Sequence, residues 1–389
     1  MGLKPGYKQT EVGVIPEDWS LQPLGIIGKW FSGGTPSMSI EEYWSGNIPW
    51  VSPKDMKVPR LYDSIDHITP KAVSAGARLL PAGAILVVVR GMILAHSFPV
   101  ARAERTLAFN QDIKAVVAAD GVDSQFLLYW LAANAQQLRE LTTEATHGTK
   151  RLPTEMLFRE LVACPPPTEQ EAIADALSDT DALIESLEQL LVKKRQLKQG
   201  AMQELLTGKK RLPGFSGKWD IKCVAEVAPL QRGFDLPNGK LKQGPYPVVY
   251  SNGVLNHHAS FQVRGPGIIT GRSGTIGTVI FVERDFWPHN TALWVTSFKG
   301  NDPKFLFYLY TQIGLEQFAT GSGVPTLNRN DVHAFKVTIP RNKDEQTSIA
   351  TILGDMDAEI AALEAKLAKA RQIKQGMMQE LLTGRIRLV

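Results

Sequence analysis

Two arginines that follow apolar runs are the residues whose chemistry is most informative in this chain. Arg90 follows the run Ala84–Val89, and Arg272 follows the run Gly267–Thr270 and Gly271. Because both end a strand-like run and adjoin glycine or a glycine-rich loop, we interpret them as equivalent residues of two related segments. Arginine presents a fork of N–H donors that fits guanine or a phosphate, so both are candidate nucleic-acid contacts. A solvated turn arginine is the plain alternative.

Other candidates share a loop or turn position and a side chain that can bond to phosphates or base edges. Lys150 and Arg151 correspond in position to Pro325 and Thr326, and because these loops differ, they are candidates for sequence-specific contacts. Solvated loops, or the turn preference of asparagine before glycine, explain many of these residues almost as well. The full set comprises Lys54, Lys57, Arg60, Lys150, Arg151, Arg232, Tyr250, Ser251, Asn252, Ser273 and Arg329.

Catalytic and metal-binding motifs are missing from the sequence. Asp302-Pro303-Lys304-Phe305 does not supply the Asn/Asp-Pro-Pro-aromatic motif of an amino-methyltransferase, and the loop Gly271–Thr278 lacks the lysine of an ATP-binding loop. His257 and His258 face opposite ways on a strand and have no evident third ligand. The sequence therefore predicts no catalytic residue, no metal site and no cofactor in this chain.

Four helical aspartates repeat at one spacing and could suggest an acid–base pair. Asp179 and Asp181 recur as Asp355 and Asp357, 176 residues later. We interpret them as solvated residues that complement the dipoles of charged helices.

Composition places the chain among globular proteins with ordinary cores. It has 389 residues, of which 43% are hydrophobic, and a formal net charge of +4, which permits nucleic-acid binding without demonstrating it. Its two cysteines form no disulfide framework. The segment Met1–Gly6 lacks the apolar run of a signal peptide, so we expect a cytoplasmic protein.

A long internal repeat organises the chain. Residues 169–212 align with residues 345–388 at an offset of 176 without a gap, and 27 of the 44 aligned pairs are identical. Apolar residues recur at steps of four and three along both copies, which is the pattern of a left-handed coiled coil. Gly208 and Gly384 occupy positions that favour a left-handed helix end. A helix over residues 173–205 would be roughly 50 Å long, at about 1.5 Å per residue.

The segments ahead of the two helices are also related to one another. Asp123 and Asp302 each begin a capped helix, at an offset of 179, and Asn110 and Asn290 each precede an apolar run, at an offset of 180. We therefore predict an α+β fold, in which two α/β heads are joined by two long antiparallel helices that form an intramolecular coiled coil with a pseudo-twofold repeat. The predicted segments are residues 1–165, 166–212, 213–342 and 343–389.

The repeated helix ends, the segment Ile48–Met56 and the loop Gly271–Gly277 together resemble the specificity subunit (HsdS) of type I restriction-modification systems. The resemblance covers essentially the whole chain. It implies two target-recognition domains, each reading one half of a split DNA sequence, and helices that bind two methyltransferase (HsdM) subunits. It also implies that S-adenosylmethionine, ATP with Mg²⁺ and the restriction (HsdR) subunits act elsewhere in the complex.

From this resemblance we expect a non-catalytic subunit that recognises an asymmetric, bipartite DNA sequence with a fixed gap. The candidate partner surface is the pair of helix ends, represented by Gln203, Leu205, Leu206, Gln379, Leu381 and Leu382. Packing between the helices of this chain is the alternative for these residues. A non-catalytic repeat scaffold whose heads bind protein or glycan remains the alternative function.

Overall fold

The computed structural model describes residues 5–144, 149–321 and 323–388. The chain divides into two compact units: Met1–Ser186 with Leu367–Val389 (unit 1), and Leu187–Lys366 (unit 2). Each unit combines one head with part of both long helices, Pro167–Leu205 and Lys343–Leu381. The prediction for Met1–Gly6 falls partly on residues 1–4, outside the described ranges. The four predicted segments remain a prediction.

The head of unit 1 is built on two sheets of short strands. One sheet has the strand order Gly28–Ser32, Ile113–Ala118, Ile85–Val88, Val100–Ala103, Arg60–Leu61. The other has the order Asp66–Ile68, Ile48–Val51, Leu107–Phe109, Leu79–Leu80. The strand Ile85–Val88 is buried along its whole length, as its run of apolar residues predicts.

Smaller elements complete the head of unit 1. A third sheet has the order Arg90–Gly91, Lys150–Arg151, Thr143–Glu144, and two strand pairs are Tyr7–Thr10 with Gly13–Pro16 and Ser20–Pro23 with Leu161–Cys164. The helices are Pro70–Ser74, Ser124–Ala133, Ala135–Glu140 and Thr154–Arg159. The helix Ser124–Ala133 packs its aromatic and leucine side chains into the main apolar core of the unit.

The head of unit 2 repeats this plan with one strand fewer in each of its two main sheets. Its larger sheet has the order Leu230–Arg232, Ala292–Val295, Gly267–Gly271, Val279–Val282, and a second has the order Gly253–His258, Tyr246–Tyr250, Trp287–Pro288. Two further strand pairs are Asp220–Cys223 with Lys336–Ile339 and Ala319–Thr320 with Thr326–Leu327. The helices are Val224–Val227, Pro303–Ile313 and Arg329–Ala334.

The predicted helix signals are confirmed. The carboxylates of Asp123 and Asp302 cap their helices by accepting hydrogen bonds from the backbone N–H of Phe126 at 2.7 Å and of Phe305 at 2.8 Å. Gly208 and Gly384 have φ values of 71° and 69°, where a side chain would be strained.

The long helices run antiparallel within each unit. In unit 2, Lys198 pairs with Asp357 and Arg195 with Glu364, and in unit 1 Lys374 pairs with Asp181. The apolar stripe of each helix does more than contact the other helix. Ile173 and Leu177 are fully buried in the core of the unit 1 head, and Ile349 and Leu353 are buried in the core of the unit 2 head. The first turns of each helix are therefore part of a head.

Candidate nucleic-acid interface

Loops of the unit 1 head meet at one edge of its sheets. The parallel strands Ile48–Val51 and Leu107–Phe109 end together, and the N–H of Asn110 donates to the carbonyl of Val51 at 2.9 Å. The carbonyl of Asp112 accepts from the N–H groups of Val89 at 2.8 Å and Arg90 at 3.2 Å. We define the unit 1 edge as residues 33–35, 52–57, 89–91, 110–112 and 150–151.

Three predicted basic residues converge on this edge. Arg90 lies directly opposite Arg151, and Gly91 lies opposite Lys150, in a short antiparallel pair. Both arginines are exposed, whereas the ammonium of Lys150 donates to Glu144 at 2.9 Å. Like charges directly opposite one another destabilise an antiparallel pair, so this arrangement favours a bound anion. A DNA phosphate has the required charge.

The three other predicted residues of unit 1 separate into two groups. Lys54 and Lys57 are exposed on a turn that Asp55 closes by accepting from the N–H and hydroxyl of Ser52 at 2.8 and 2.9 Å. Arg60 instead lies on a strand and donates to Glu104 at 3.4 Å. The structure thus gives Lys54 and Lys57 the accessibility of a phosphate contact and gives Arg60 an internal partner.

The unit 2 head has the same pattern of backbone hydrogen bonds at its edge, and we call this shared pattern the backbone frame. The N–H of His289 donates to the carbonyl of Val249 at 2.8 Å, and the carbonyl of Thr291 accepts from Arg272 at 2.8 Å and Ser273 at 3.2 Å. The N–H of Leu327 donates to the carbonyl of Arg272 at 2.7 Å, as that of Leu152 donates to Val89 at 2.8 Å in unit 1. We define the unit 2 edge as residues 232–235, 250–252, 271–274, 289–291 and 325–326.

These backbone bonds correct the predicted equivalence of Arg90 and Arg272. Arg272 occupies the frame position of Val89, and Ser273, which pairs with Thr326, occupies that of Arg90. Asn110 likewise corresponds to His289 rather than to Asn290. The physical reason is a one-residue shift in loop length, since the offset at this strand is 272 − 89 = 183 rather than 182. The predicted match of Lys150 and Arg151 with Pro325 and Thr326 fits the same frame.

Arg272 is part of a chain of polar contacts across the unit 2 edge. Its Nε donates to the backbone carbonyl of Asn290 at 3.0 Å. The amide of Asn290 donates to the carboxylate of Asp235, which also accepts from Arg232 at 3.2 Å. The hydrogen bond from Asn290 lowers the pKa of Asp235, and the charge of Arg232 lowers it further. The carboxylate is therefore ionised at neutral pH.

Tyr250 and Ser251 are also at this edge. The ring of Tyr250 lies 4.2 Å from that of His289, tilted by 35°, and the backbone N–H of Ser251 donates to the hydroxyl of Thr291 at 3.4 Å. Burial lowers the pKa of His289, an effect that Asp235 partly opposes. One face of Tyr250 is thus covered, while the adjacent Asn252 is exposed.

Several edge residues escaped the sequence reasoning. Asp235 and Asn290 in unit 2 occupy the frame positions of Thr35 and Gln111 in unit 1, where the threonine hydroxyl donates to the glutamine. Both pairs depend on a glycine two residues earlier. A Cβ on Gly33 would lie 2.1 Å from the carbonyl oxygen of Asn110, and one on Gly233 would lie 2.2 Å from that of His289. Gly-x-Thr and Gly-x-Asp were the available signals.

Arg329 differs from its predicted setting. It is the first residue of the helix Arg329–Ala334, which Asn328 caps, and does not lie in the preceding loop. His258 is buried, and its Nδ1 accepts from the N–H of Lys242 at 3.0 Å. Among the residues that the structure describes, no group of three or more His, Cys, Asp or Glu side chains is placed to hold a metal ion.

The predicted partner surface needs a correction at its leucines. Leu205, Leu206, Leu381 and Leu382 are at most 6% exposed, because they pack into the cores of their units. They stabilise this chain and offer no surface to another protein. Gln203 and Gln379, on the same turns, are exposed.

Both exposed glutamines line clefts that share five residues of the repeat. The unit 2 cleft has a volume of about 510 Å³ and lies between the helix Pro303–Ile313 and the first long helix. The unit 1 cleft, of about 1070 Å³, lies between the helix Ser124–Ala133 and the second long helix. The repeat contributes Arg195, Lys198, Gln199, Met202 and Gln203 to one, and Arg371, Lys374, Gln375, Met378 and Gln379 to the other.

Two of the four repeated aspartates, Asp181 and Asp357, have a packing role that the helix-dipole interpretation missed. Tyr129 donates its hydroxyl hydrogen to Asp181 at 2.8 Å, and Tyr308 donates to Asp357 at 2.7 Å. Each aspartate also pairs with a lysine of the other long helix, Lys374 or Lys198. Asp181 lies far beyond the first turn of a helix that begins at Pro167, where the dipole no longer acts. The aspartates therefore join a head to both helices.

Comparison with known families identifies the fold. A family model described as the type I restriction modification DNA specificity domain matches residues 16–193 and again residues 216–372. This chain belongs to the type I restriction-modification DNA specificity family. The two matches agree with the internal repeat, and the family resemblance seen in the sequence is confirmed.

Relatives of this specificity chain include named restriction-enzyme subunits. It is 32% identical over 195 residues to the EcoR124I/EcoR124II specificity subunit of Escherichia coli, covering 50% of this chain and 46% of that subunit. It is 36% identical over 186 residues to the MjaIX specificity subunit of Methanocaldococcus jannaschii, covering 46% and 42%. These alignments span about half the length of the relatives. The EcoprrI specificity subunit of E. coli is 24% identical, with 90% of both chains covered.

A solved structure shares the fold of this specificity chain. The type I restriction-modification S subunit from M. genitalium superposes with a TM-score of 0.64 at 15% identity, covering 97% of this chain and 99% of that one. The predicted α+β fold with paired heads and long helices is confirmed. Within the described ranges, no helix has both the length and the apolar character needed to cross a membrane.

Proposed function

We propose that the chain recognises an asymmetric DNA sequence in two parts separated by a fixed gap, one part by each unit. The proposal rests on one observation: the two edges share the same backbone frame but carry different side chains. Arg90 and Arg151 in unit 1 correspond to the neutral residues Ser273 and Thr326 in unit 2. Two edges with the same backbone frame but different hydrogen-bond donors and charges are suited to recognising two different half-sequences.

Unit 2 carries its positive charges at other frame positions. Arg232 and Arg272 correspond to Ser32 and Val89 of unit 1. Each edge therefore combines basic groups for phosphates with polar groups for base edges, in its own arrangement. The predicted DNA contacts stay proposals. Arg60 and Arg329 lie outside the two edges, and Arg60 is also paired with Glu104.

The fixed gap is proposed to depend on the two long helices. Each is continuous over 39 residues and contributes to both units. A change in helix length should therefore change the gap while leaving the half-sequences unaltered. At about 3.4 Å per base pair, the roughly 50 Å spacer expected from the sequence limits the separation to roughly fifteen base pairs.

We further propose that two methyltransferase subunits bind the duplicated clefts, one in each unit. Five repeated side chains line each cleft at the same offset of 176 residues, which suits two copies of one partner. Adenine methylation, DNA cleavage, S-adenosylmethionine and ATP with Mg²⁺ are assigned to the partner subunits, with restriction subunits joining the full complex. This chain determines where on DNA the complex binds.

Co-expression with a methyltransferase subunit that assembles with this chain tests the proposal. Mapping of methylated adenines across a genome should yield one motif with two unlike halves and a constant gap. An uninterrupted motif, or methylation by the purified chain alone, would contradict the proposal. DNA binding by the assembled complex should also weaken steeply with salt, whereas a scaffold for protein or glycan would show no such dependence.

A further inference from the structure

Asn290 occupies a polar position of the unit 2 edge that several hydrogen bonds hold in place. Its backbone carbonyl accepts from the guanidinium Nε of Arg272 at 3.0 Å. On either side, His289 is bonded to Val249 at 2.8 Å, and Thr291 accepts from Arg272 at 2.8 Å. A side chain carried on a loop fixed at three consecutive residues loses little freedom when it binds, which favours a specific contact.

The side chain of Asn290 is also oriented. A carboxylate only accepts hydrogen bonds, so Asp235 takes an N–H of the Asn290 amide and fixes which end of the amide is nitrogen. Arg232 donates to the same carboxylate oxygen of Asp235, at 3.2 Å. One N–H and the carbonyl oxygen of the amide remain for a ligand. An amide presented in this way can bind an adenine through N7 and the N6 amino group in the major groove.

We infer that Asn290 reads one adenine in the half-sequence bound by unit 2, with Asp235 as its positioning residue. This inference rests on the proposed function and names a base contact within it. Unit 1 lacks the same orientation at its equivalent pair, because Thr35 can donate or accept and its hydroxyl engages the oxygen of Gln111. The adenine preference at this frame position is therefore a property of unit 2.

The test uses the complex assembled with its methyltransferase subunits and duplex DNA carrying the motif established for the wild type. In the half-sequence bound by unit 2, the adenines of both strands are replaced, one at a time, by 7-deazaadenine, which lacks the N7 acceptor. One replacement should weaken binding by wild type and leave binding by Asn290→Ala unchanged. Equal losses in both proteins at every position would overturn the inference, and a wild-type complex without a two-part motif would instead defeat the proposed function.

Genome-wide methylation supplies the second readout. Asn290→Ala should accept other bases at the same single position, where the wild type prefers adenine by roughly 5- to 150-fold. Asp235→Asn should reduce that preference while the rest of the motif persists, because an amide can no longer fix the orientation of Asn290. Asn330→Ala, an exposed helical asparagine of the same unit, is the matched control. An unchanged motif in Asn290→Ala would overturn the inference.

Discussion

Arg387 holds the fully buried carboxylate of Glu169 with two hydrogen bonds, from Nε to Oε1 at 2.5 Å and from Nη2 to Oε2 at 2.7 Å. Glu169 begins the first copy of the repeat (residues 169–212), and Arg387 lies at the end of the second (residues 345–388). Unit 2 contains the reciprocal pair, in which Arg211 donates to Glu345 at 2.6 and 2.8 Å. A tryptophan indole also donates to each glutamate, from Trp19 at 2.9 Å and Trp219 at 3.4 Å. Each unit is thus closed by ends of both repeats.

Loss of Arg387 should strongly destabilise unit 1. Arg387→Ala leaves the carboxylate of Glu169 buried without its charge partner, which costs about 3–5 kcal/mol of unfolding free energy. Urea denaturation followed by tryptophan fluorescence measures the change. Arg385→Ala removes an exposed arginine two residues earlier and should cost less than about 0.5 kcal/mol. Equal effects of the two substitutions would contradict a structural role for the pair.

The Tyr308–Asp357 contact predicts a loss of stability at alkaline pH. Burial raises the pKa of Tyr308, and the hydrogen bond to Asp357 raises it further. Because the folded pKa lies above the unfolded value of about 10, this contribution is complete below pH 10 and is lost as pH rises beyond it. Tyr308→Phe should lower stability by about 2 kcal/mol at pH 7 and remove this part of the pH dependence.

Thermal unfolding between pH 7 and 11.5 checks the Tyr308 prediction. Tyr62→Phe, which alters a tyrosine that is 63% exposed, serves as the control and should reproduce the wild-type curve. If Tyr308→Phe and wild type lost stability in parallel above pH 10, the hydrogen bond would not be responsible.

Arg151 should contribute one phosphate contact to DNA binding. Arg151→Thr introduces the residue found at the equivalent position of unit 2, and it should reduce the slope of log K against log salt by about one. It should not destabilise the fold, because it removes a like-charge opposition with Arg90. Fluorescence anisotropy of the assembled complex over a salt series measures the slope. Arg159→Thr, at an exposed helix end, should leave it unchanged; the same reduction there would indicate a nonspecific charge effect.

The two clefts should each bind one methyltransferase subunit. Gln203→Arg or Gln379→Arg places a bulky charge in one cleft and should reduce the bound subunits from two to one, and the double variant should bind none. Native mass spectrometry gives the stoichiometry. The matched controls are Gln196→Arg and Gln372→Arg, which alter exposed glutamines of the same helices outside the clefts. A full complement of partners on the double variant would exclude the clefts.

The helices and their ends were predictable because local residues determine them. Asp123 and Asp302 can cap only the helix that follows them, and a left-handed helix end favours glycine, as at Gly208 and Gly384. The repeat keeps one offset through both helices, so its alignment needs no choice of gap.

The residue matches at the edges and the burial of the leucines could not be predicted from the sequence, for two different reasons. Loop insertions shift the frame near the edge, so similarity paired Arg272 with Arg90, whereas backbone hydrogen bonds pair it with Val89. Periodicity shows that Leu205 and Leu381 lie on an apolar stripe. It cannot show whether a head of the same chain or a separate protein covers that stripe. The Asp235–Asn290 contact spans 55 residues, so the Gly-x-Asp signal at Asp235 does not reveal its partner.

The central claim is that each unit reads its own half of the target. It is tested most directly by exchanging residues 1–165 for the corresponding head of a relative with another specificity and mapping methylated adenines in cells that express the complex. The account predicts a new sequence in one half of the motif, with the other half and the gap unchanged. A change in both halves, or in neither, would contradict it.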